Sequence, residues 1–521
     1  MRILIFHGYL LRGTGSNIYN ANLAQAFVAL GHEVHLLCQD RQAAELPFVD
    51  AVGRWDAGRL EIETVREPVR ATVYLPDIGR VLPLYVADRY EGFDARPFLE
   101  LSDDELEHYL QANVAAAAEV AQRTEPDVAL ANHALMGPVV LARGLEGRTP
   151  YAVKIHGSAL EYTIRPDPQR FIGFAREGLA GAAGVLVGST HMAERLWELL
   201  PETRERTRLG PPGVDVHRFR PAAPGEAPAR LAALIGRLEG AAAAGWGGEA
   251  GAAEALRALD PERDLIVSYV GKLIVSKGVD LLMAAWPLVV ERVPAARLCV
   301  VGFGTYREAV ESLIEAIGRG DLAAAREIAA RGRQLEGGAP GELRHLAAFL
   351  DGLEGERLER YLAAAPEAAR RVGFTGRLEY EDLPDLLAGC QAQVVPSTFP
   401  EAFGMVAAEA AACGLLPLSA AHSGLAEVSA ALAPALEPSL RPLLGFEVGP
   451  GAVEEIAGKL VRWLTLPPDE RHRAGAALAA SAAGQFGWEG VARRVIAAAQ
   501  GRLGELPEPA PGSAVSRPLS G

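Results

Sequence analysis

LIVSYVGKLIVSKGVDLLMAAWPLVVERV, residues 265–293, reads as one strand–turn–helix unit. Its first seven residues, LIVSYVG (265–271), form an apolar, β-branched run closed by glycine, the signature of a strand buried on both faces. From KG (277–278) onward the apolar spacing becomes helical. The unit then repeats. ARLCVVGFG (296–304), RRVGFTGRL (370–378), AQVVPST (392–398) and LLPLSA (415–420) are further strands, interrupted by an Ala/Gly/Arg-rich helical insertion at about 318–370.

The first 220 residues show the same alternation. RILIF (2–6) is a strand, GTGSN (13–17) a turn, and IYNANLAQAFVALG a helix stopped by Gly31. HEVHLLCQ (32–39), DVALAN (127–132), YAVKIHG (151–157) and GVLVGS (184–189) are strands, and Ser102 is placed to cap a helix over 102–122. Strands alternating with helices predict an α/β fold of two doubly wound, mostly parallel sheets. Two such domains facing each other put a ligand in a central cleft, at the carboxyl ends of the strands. PPGVDVHRFRP (211–221) breaks the pattern as a hinge. The expected division is a domain at 1–217, a hinge and Ala/Gly-rich insertion at 218–264, a second domain at 265–485, a closing helix at 486–503 and a disordered, proline-rich tail at 504–521.

The net charge of −15 argues against a generic nucleic-acid binder, though a local site can still be positive. Of 51 basic residues only four are lysines, so Lys272 and Lys277, five positions apart, stand out. Cys38, Cys299, Cys390 and Cys413 are scattered and form no CxxC pair, which fits a reducing, cytoplasmic setting. No signal peptide and no membrane-spanning segment are expected. The acidic excess of the N-terminal half gives no support to a polybasic membrane anchor, but peripheral contact with a membrane stays open.

Lys272 and Lys277 flank a turn that leads into a helix. Two ammonium groups and the unpaired N–H groups of a helix start can cradle an anion such as a diphosphate. In PSTFPEAFGMVAAEAAACG (396–414), Pro400 and Gly404 predict that a helix starts near Met405 and stops at Gly414. Glu401 then lies in the loop before the helix and Glu409 inside it. The pair can hold two parts of one ligand, since a carboxylate accepts well from a vicinal diol. A solvated glutamate and a glutamate near a helix start are the plainer alternative. His133, after a strand end, reads as an acceptor-side group or a packed histidine, and Asn17 as a phosphate or acceptor contact or a helix cap. His7 reads as a group near the cleft or merely at a strand end. Gly302 and Gly304 form a GxG after a strand. The aromatic, charged segment 84–93 contacts an acceptor or simply covers the sheet.

The ordered set GTGSN, KIHGS, PPGVDVHRF, GKLIVSKG, GFTGRL, PSTFPEAFGMVAAEAAACG and SGLAE resembles the retaining glycosyltransferases of family 4, which have the GT-B fold of two Rossmann-like domains. The resemblance spans nearly the whole chain outside the two insertions and the tail. It implies a nucleotide-sugar donor, with UDP- or GDP-sugars the first choices. Lys277, and Lys272 where the family more often has arginine, would hold the diphosphate. Glu409 would bind the ribose, and Glu401 with the backbone at Phe403, Gly404 and Met405 the sugar. Arg377 and Leu378 would lie near the base, His156 beside the transferred sugar, and Gly13 and Gly15 beside the diphosphate. His156, Glu401 and Lys277 are the catalytic candidates. The chain departs from the family pattern in having EAFG for EGFG and His422-Ser423-Gly424, followed by Glu427, for the usual GG…E.

The expected reaction is transfer of the sugar to a small-molecule, glycan or lipid hydroxyl with retention of configuration. No DxD stretch occurs, so neither a metal nor another cofactor is invoked. Alternatives are a GT-B sugar phosphorylase or nucleotide-sugar epimerase, and a non-catalytic nucleotide-sugar-binding protein.

Overall fold

The structure, a computed structural model, describes residues 1–12, 15–85, 92–243 and 251–510. The chain divides into two compact units. One contains Met1–Gly213 and the C-terminal segment from Phe486, and the other spans Val214–Gln485.

The first unit is built on a nine-stranded sheet. From edge to edge its strands are Thr207–Leu209, Gly184–Val187, Tyr151–Lys154, Val128–Asn132, Arg2–Phe6, Glu33–Leu37, Ala71–Leu75, Ala51–Asp56 and Arg59–Thr64. All neighbours are parallel except the last pair, an antiparallel hairpin. The strand order reverses between Arg2–Phe6 and Val128–Asn132, so a topological switch point lies just beyond Phe6 and Asn132. Side chains alternate between two cores, as the pleat requires. Leu4 and Phe6 join Ala129, Ala131 and Val153 on one face. Ile3 and Ile5 join Val128, Leu130 and Ala152 on the other.

Two helices cover that second face, Ser16–Ala29 and, from the far end of the sequence, Trp488–Ala499. The Asp103–Thr124 helix starts with the expected Ser102 cap. Ser102 Oγ accepts from Glu105 N at 3.2 Å, and the Glu105 carboxylate accepts the Ser102 N–H at 2.9 Å. The proline-rich tail keeps order further than its composition suggests. Leu209 N–H donates to Pro507 O at 2.8 Å, and Arg208 pairs with Glu508 at 3.1 Å. The unpaired edge of Thr207–Leu209 thus engages an extended segment through Ala510. Residues 511–521 lie outside the described residues.

The second unit holds six parallel strands in the order Val372–Gly376, Ala296–Val301, Leu265–Val270, Cys390–Val395, Leu416–Ala420 and Gly445–Phe446. Its order reverses between Leu265–Val270 and Cys390–Val395. The loops after Val270 and Val395 therefore leave the sheet side by side. Gly278 shows how closely they pass. It has φ 63°, and a Cβ there would fall 2.0 Å from Pro396 O. Both insertions dock on this unit. In Glu226–Ala243, Arg230 and Arg237 pair with Asp385 at 2.8 and 2.6 Å. From the second insertion, Glu336 accepts the Val275 N–H at 2.8 Å, inside the loop that carries the two lysines.

Candidate functional site

In the second unit the site residues gather on the loops after Val270 and Val395. The first loop runs through Lys272, makes a 3₁₀ turn at Val275–Lys277, and enters the helix Val279–Arg292. The second runs from Pro396 to the helix Met405–Ala412, which starts and ends where the Pro/Gly pattern predicts.

The two loops meet at an ion pair between the Lys277 ammonium and Glu401 Oε1, both half-buried. Ser397 Oγ donates to the same carboxylate oxygen at 2.6 Å, and the Glu401 N–H donates to Ser423 Oγ at 2.8 Å. Lys272 is exposed. Its carbonyl takes the Tyr269 hydroxyl at 2.9 Å, and among the described residues its ammonium has no partner. Phe403 and Met405 are half-buried and Gly404 is buried at the helix start. Among the described residues nothing accepts the backbone N–H groups of Gly404, Met405 and Val406, as is usual in a first helical turn.

Glu409 points inward from that helix and is only 3% exposed. Burial pushes its carboxyl up to about 7, against a smaller opposing effect of Tyr380. Burial and the Glu409 charge in turn raise the Tyr380 phenol. Among the described residues no cation pairs with it, and a buried carboxyl in this setting is suited to a neutral polyhydroxyl ligand. Arg377 is exposed, pairs with Glu379 at 3.1 Å and lies 5.6 Å over the exposed Phe303 ring, while Leu378 is buried. The structure thus joins Lys277 to Glu401, while Glu409 and Tyr380 influence each other electrostatically without a hydrogen bond between them among the described residues. No side-chain contact joins Lys272 or Arg377 to these groups among the described residues.

In the first unit the candidates collect at the switch point. Gly13 lies outside the described residues. Gly15, with φ 59°, precedes the Ser16–Ala29 helix as its N-cap, so Asn17 is not the cap. Asn17 is buried, and both ends of its amide are used within the unit. Its Nδ2 donates to Arg12 O at 2.9 Å and its Oδ1 faces His7 Nε2 at 3.0 Å. A directed chain of hydrogen bonds continues from there. His7 Nδ1 accepts from Asn20 Nδ2 at 3.0 Å, Asn20 Oδ1 from Asn132 Nδ2 at 2.8 Å, and Asn132 Oδ1 from His156 Nε2 at 2.8 Å.

Asn132 Nδ2 is also bonded to Phe6 O, which fixes the orientation of its amide. His156 Nε2 therefore carries a proton. Burial first, then the charges of His133, Lys154 and His7, hold His156 well below the ordinary histidine range, so its Nδ1 is a bare acceptor. His133 is buried with φ 68°, and its ring centre lies 4.4 Å from that of Tyr85 and 4.9 Å from that of His156. Among the described residues its Nε2 has no hydrogen-bond partner.

Reading the sequence assigned no role to Ser397, Tyr380, His422 and Ser423 in one unit, although it marked His422-Ser423 as a departure from the family pattern, nor to Asn20 and Asn132 in the other. Tyr380 follows Arg377-Leu378 closely and Asn132 precedes His133, so adjacency was the available signal.

Residues 13–218 match the family described as Glycosyltransferase Family 4, and residues 347–479 match Glycosyl transferases group 1. Lys272 and Lys277 fall between the two stretches. The chain is 27% identical over 412 residues to D-inositol 3-phosphate glycosyltransferase of Frankia alni, covering 77% of this chain and 82% of that protein. It is 23% identical over 353 residues to the GDP-mannose-dependent monoacylated alpha-(1-6)-phosphatidylinositol monomannoside mannosyltransferase of Corynebacterium glutamicum, covering 61% and 70%. Among solved structures, HepE of Anabaena in complex with UDP shares the fold with a TM-score of 0.53 at 17% identity, covering 97% of this chain and 100% of that one. With two parallel α/β units and two matched family stretches, the chain belongs to the group 1, family 4 glycosyltransferases of GT-B fold.

Proposed function

We propose that this glycosyltransferase moves a hexose from a UDP- or GDP-sugar to a hydroxyl acceptor with retention of anomeric configuration, without a metal ion. The observation that carries the reading is the Lys277–Glu401 pair, with the buried Glu409 eight positions after Glu401 in the same segment. One segment with its neighbouring loop thus offers a cation for phosphate and carboxylates for sugar and ribose hydroxyls.

Breaking the sugar–diphosphate bond leaves negative charge on the departing phosphate. Lys277, Lys272 and the free N–H groups at the start of Met405–Ala412 would stabilise that charge as it develops. Glu401 would let go of Lys277 and accept from sugar hydroxyls. Glu409 would accept from the ribose diol, with Arg377, Leu378 and Tyr380 toward the base. His156 would offer its bare Nδ1 to a sugar hydroxyl. As a neutral, weakly basic group it would position the sugar, leaving a departing phosphate oxygen to take the acceptor proton. Gly13 and Gly15 would serve the diphosphate.

The names of the relatives suggest which substrates to try first. These are GDP-mannose and UDP-hexoses as donors, and phosphorylated inositols or phosphatidylinositol mannosides as acceptors. A cytoplasmic setting suits the four unpaired, buried cysteines. No described helix is long and apolar enough to cross a membrane.

The test is to incubate the protein with UDP- and GDP-hexoses and these acceptors, with and without EDTA. Product is identified by mass spectrometry and its anomeric configuration by NMR. A retained glycoside formed in EDTA is the expected result. Inverted product, a metal requirement, or donor conversion that needs only inorganic phosphate or no acceptor would overturn it.

A further inference from the structure

His422 and Ser423 lie in the stretch His422-Ser423-Gly424, where the chain departs from the family's GG pattern. Ser423 also sits at φ 50°, in the left-handed region that glycine favours, so its side chain is kept against backbone preference. The hydrogen bonds around it have determinable directions. His422 Nε2 lies 2.8 Å from Ser397 O, and a carbonyl only accepts, so Nε2 carries the proton. His422 is buried, and burial holds it below the ordinary histidine range, in the neutral form with a lone pair on Nδ1. Ser423 Oγ, 3.0 Å away, therefore donates to Nδ1. The same oxygen accepts the Glu401 N–H at 2.8 Å, while Ser397 Oγ donates to Glu401 Oε1 at 2.6 Å. The Glu401 carbonyl accepts the Gly424 N–H at 3.0 Å.

These bonds close a ring from Glu401 through Ser423, His422 and Ser397 back to Glu401. They grip the main chain of Glu401 at both N–H and C=O, and its side chain at Oε1. Among the described residues Oε2 has no partner. We propose that His422 and Ser423 are positioning residues for transfer, a side-chain brace that fixes the Glu401 loop and presents Glu401 Oε2 to a donor-sugar hydroxyl. The role of Glu401 in this statement rests on the function proposed above.

The ring acts through Glu401, so its contribution disappears when Glu401 can no longer act. The test is a double-mutant cycle of Ser423→Gly and Glu401→Gln, read by kcat and KM for the donor and by Tm. Ser423→Gly relieves the backbone, so its Tm should equal or exceed that of the parent. Its kcat should nevertheless fall about tenfold, the scale of a small misplacement in a site. In the Glu401→Gln background the same change should alter kcat less than about twofold if the groups act as a unit. His422→Ala should reproduce the Ser423→Gly loss and add little to it. If Glu401→Gln leaves too little turnover to measure, calorimetric affinity for the intact nucleotide sugar is read over the same cycle. Full activity of Ser423→Gly, or an equal loss in both backgrounds, would overturn the positioning role while leaving the proposed function intact. Unchanged activity of Glu401→Gln would overturn the proposed role of Glu401 itself.

Discussion

The Lys277 ammonium rests on Glu401 Oε1, joining two loops 124 residues apart in sequence. In this arrangement the cation proposed for a phosphate is already neutralised, so on that proposal a diphosphate would have to displace the carboxylate to reach it. The two partners should therefore both matter for transfer but differ in their effect on nucleotide binding. Lys277→Ala should lower transfer by about 10²-fold or more, the usual effect of removing one preorganised charge donor. Glu401→Gln should also impair transfer. It should nonetheless strengthen binding of a sugar-free nucleoside diphosphate by up to about fivefold, since a partly exposed pair contributes at most about 1 kcal/mol. Titration calorimetry with UDP and GDP checks the second outcome, and equal or weaker binding would refute the competition.

Glu409, if it holds the ribose as proposed, should make binding and pH interdependent. Its folded-state carboxyl is pushed up to about 7 from an ordinary 4.5, so the folded protein holds a proton that the unfolded chain releases between those values. Stability contributed by this group should fall as pH rises through that window, and Glu409→Gln should flatten the slope. A ribose diol donating to the ionised form would expel the proton. Nucleotide binding just below neutrality should therefore release protons, seen as a dependence of binding enthalpy on the ionisation enthalpy of the buffer. Glu409→Gln should abolish that dependence.

Asn132 should matter to two quantities at once. Its Nδ2 serves Phe6 O and Asn20 Oδ1, and its Oδ1 orients His156. Asn132→Leu leaves buried acceptors unpaired and should cost about 1–3 kcal/mol per group left unsatisfied. Asn132→Asp keeps the acceptor for His156 but removes both donations, and should raise the His156 pKa toward the ordinary range. NMR titration of the histidine ring protons reads that shift, and denaturant unfolding reads the stability loss.

Gly278→Ala should damage function more than its size suggests. The new methyl would meet Pro396 O in a left-handed backbone, so the lysine loop and the Glu401 loop must separate. Donor affinity should drop together with Tm. A variant with parental donor affinity would show that the spacing of these loops is unimportant.

The strands were plain in the sequence because both sheets are covered on both faces, which leaves continuous runs such as RILIF and LIVSYV. The helix carrying Glu409 was plain too, because proline and glycine mark its ends. The ring through His422 and Ser423 was not legible. Neither residue is special by type, and their contacts depend on which loops emerge side by side from the sheet. The amide–imidazole chain from His156 to Asn17 escaped notice for the same reason, since it crosses three strand ends far apart in sequence. Order in residues 504–510 was missed because composition does not reveal that an edge strand needs a partner.

Among the described α-helices Trp488–Ala499 comes latest in the sequence, yet it completes the face of a sheet whose central strand is Arg2–Phe6. A ribosome delivers these parts in the opposite order to their need. While Val214–Gln485 is being synthesised, for on the order of tens of seconds, Ile3, Ile5, Val128 and Leu130 lack their final cover. Nascent chains halted before Trp488 should be prime clients for chaperones, and the second unit should mature first on the ribosome although it is encoded second.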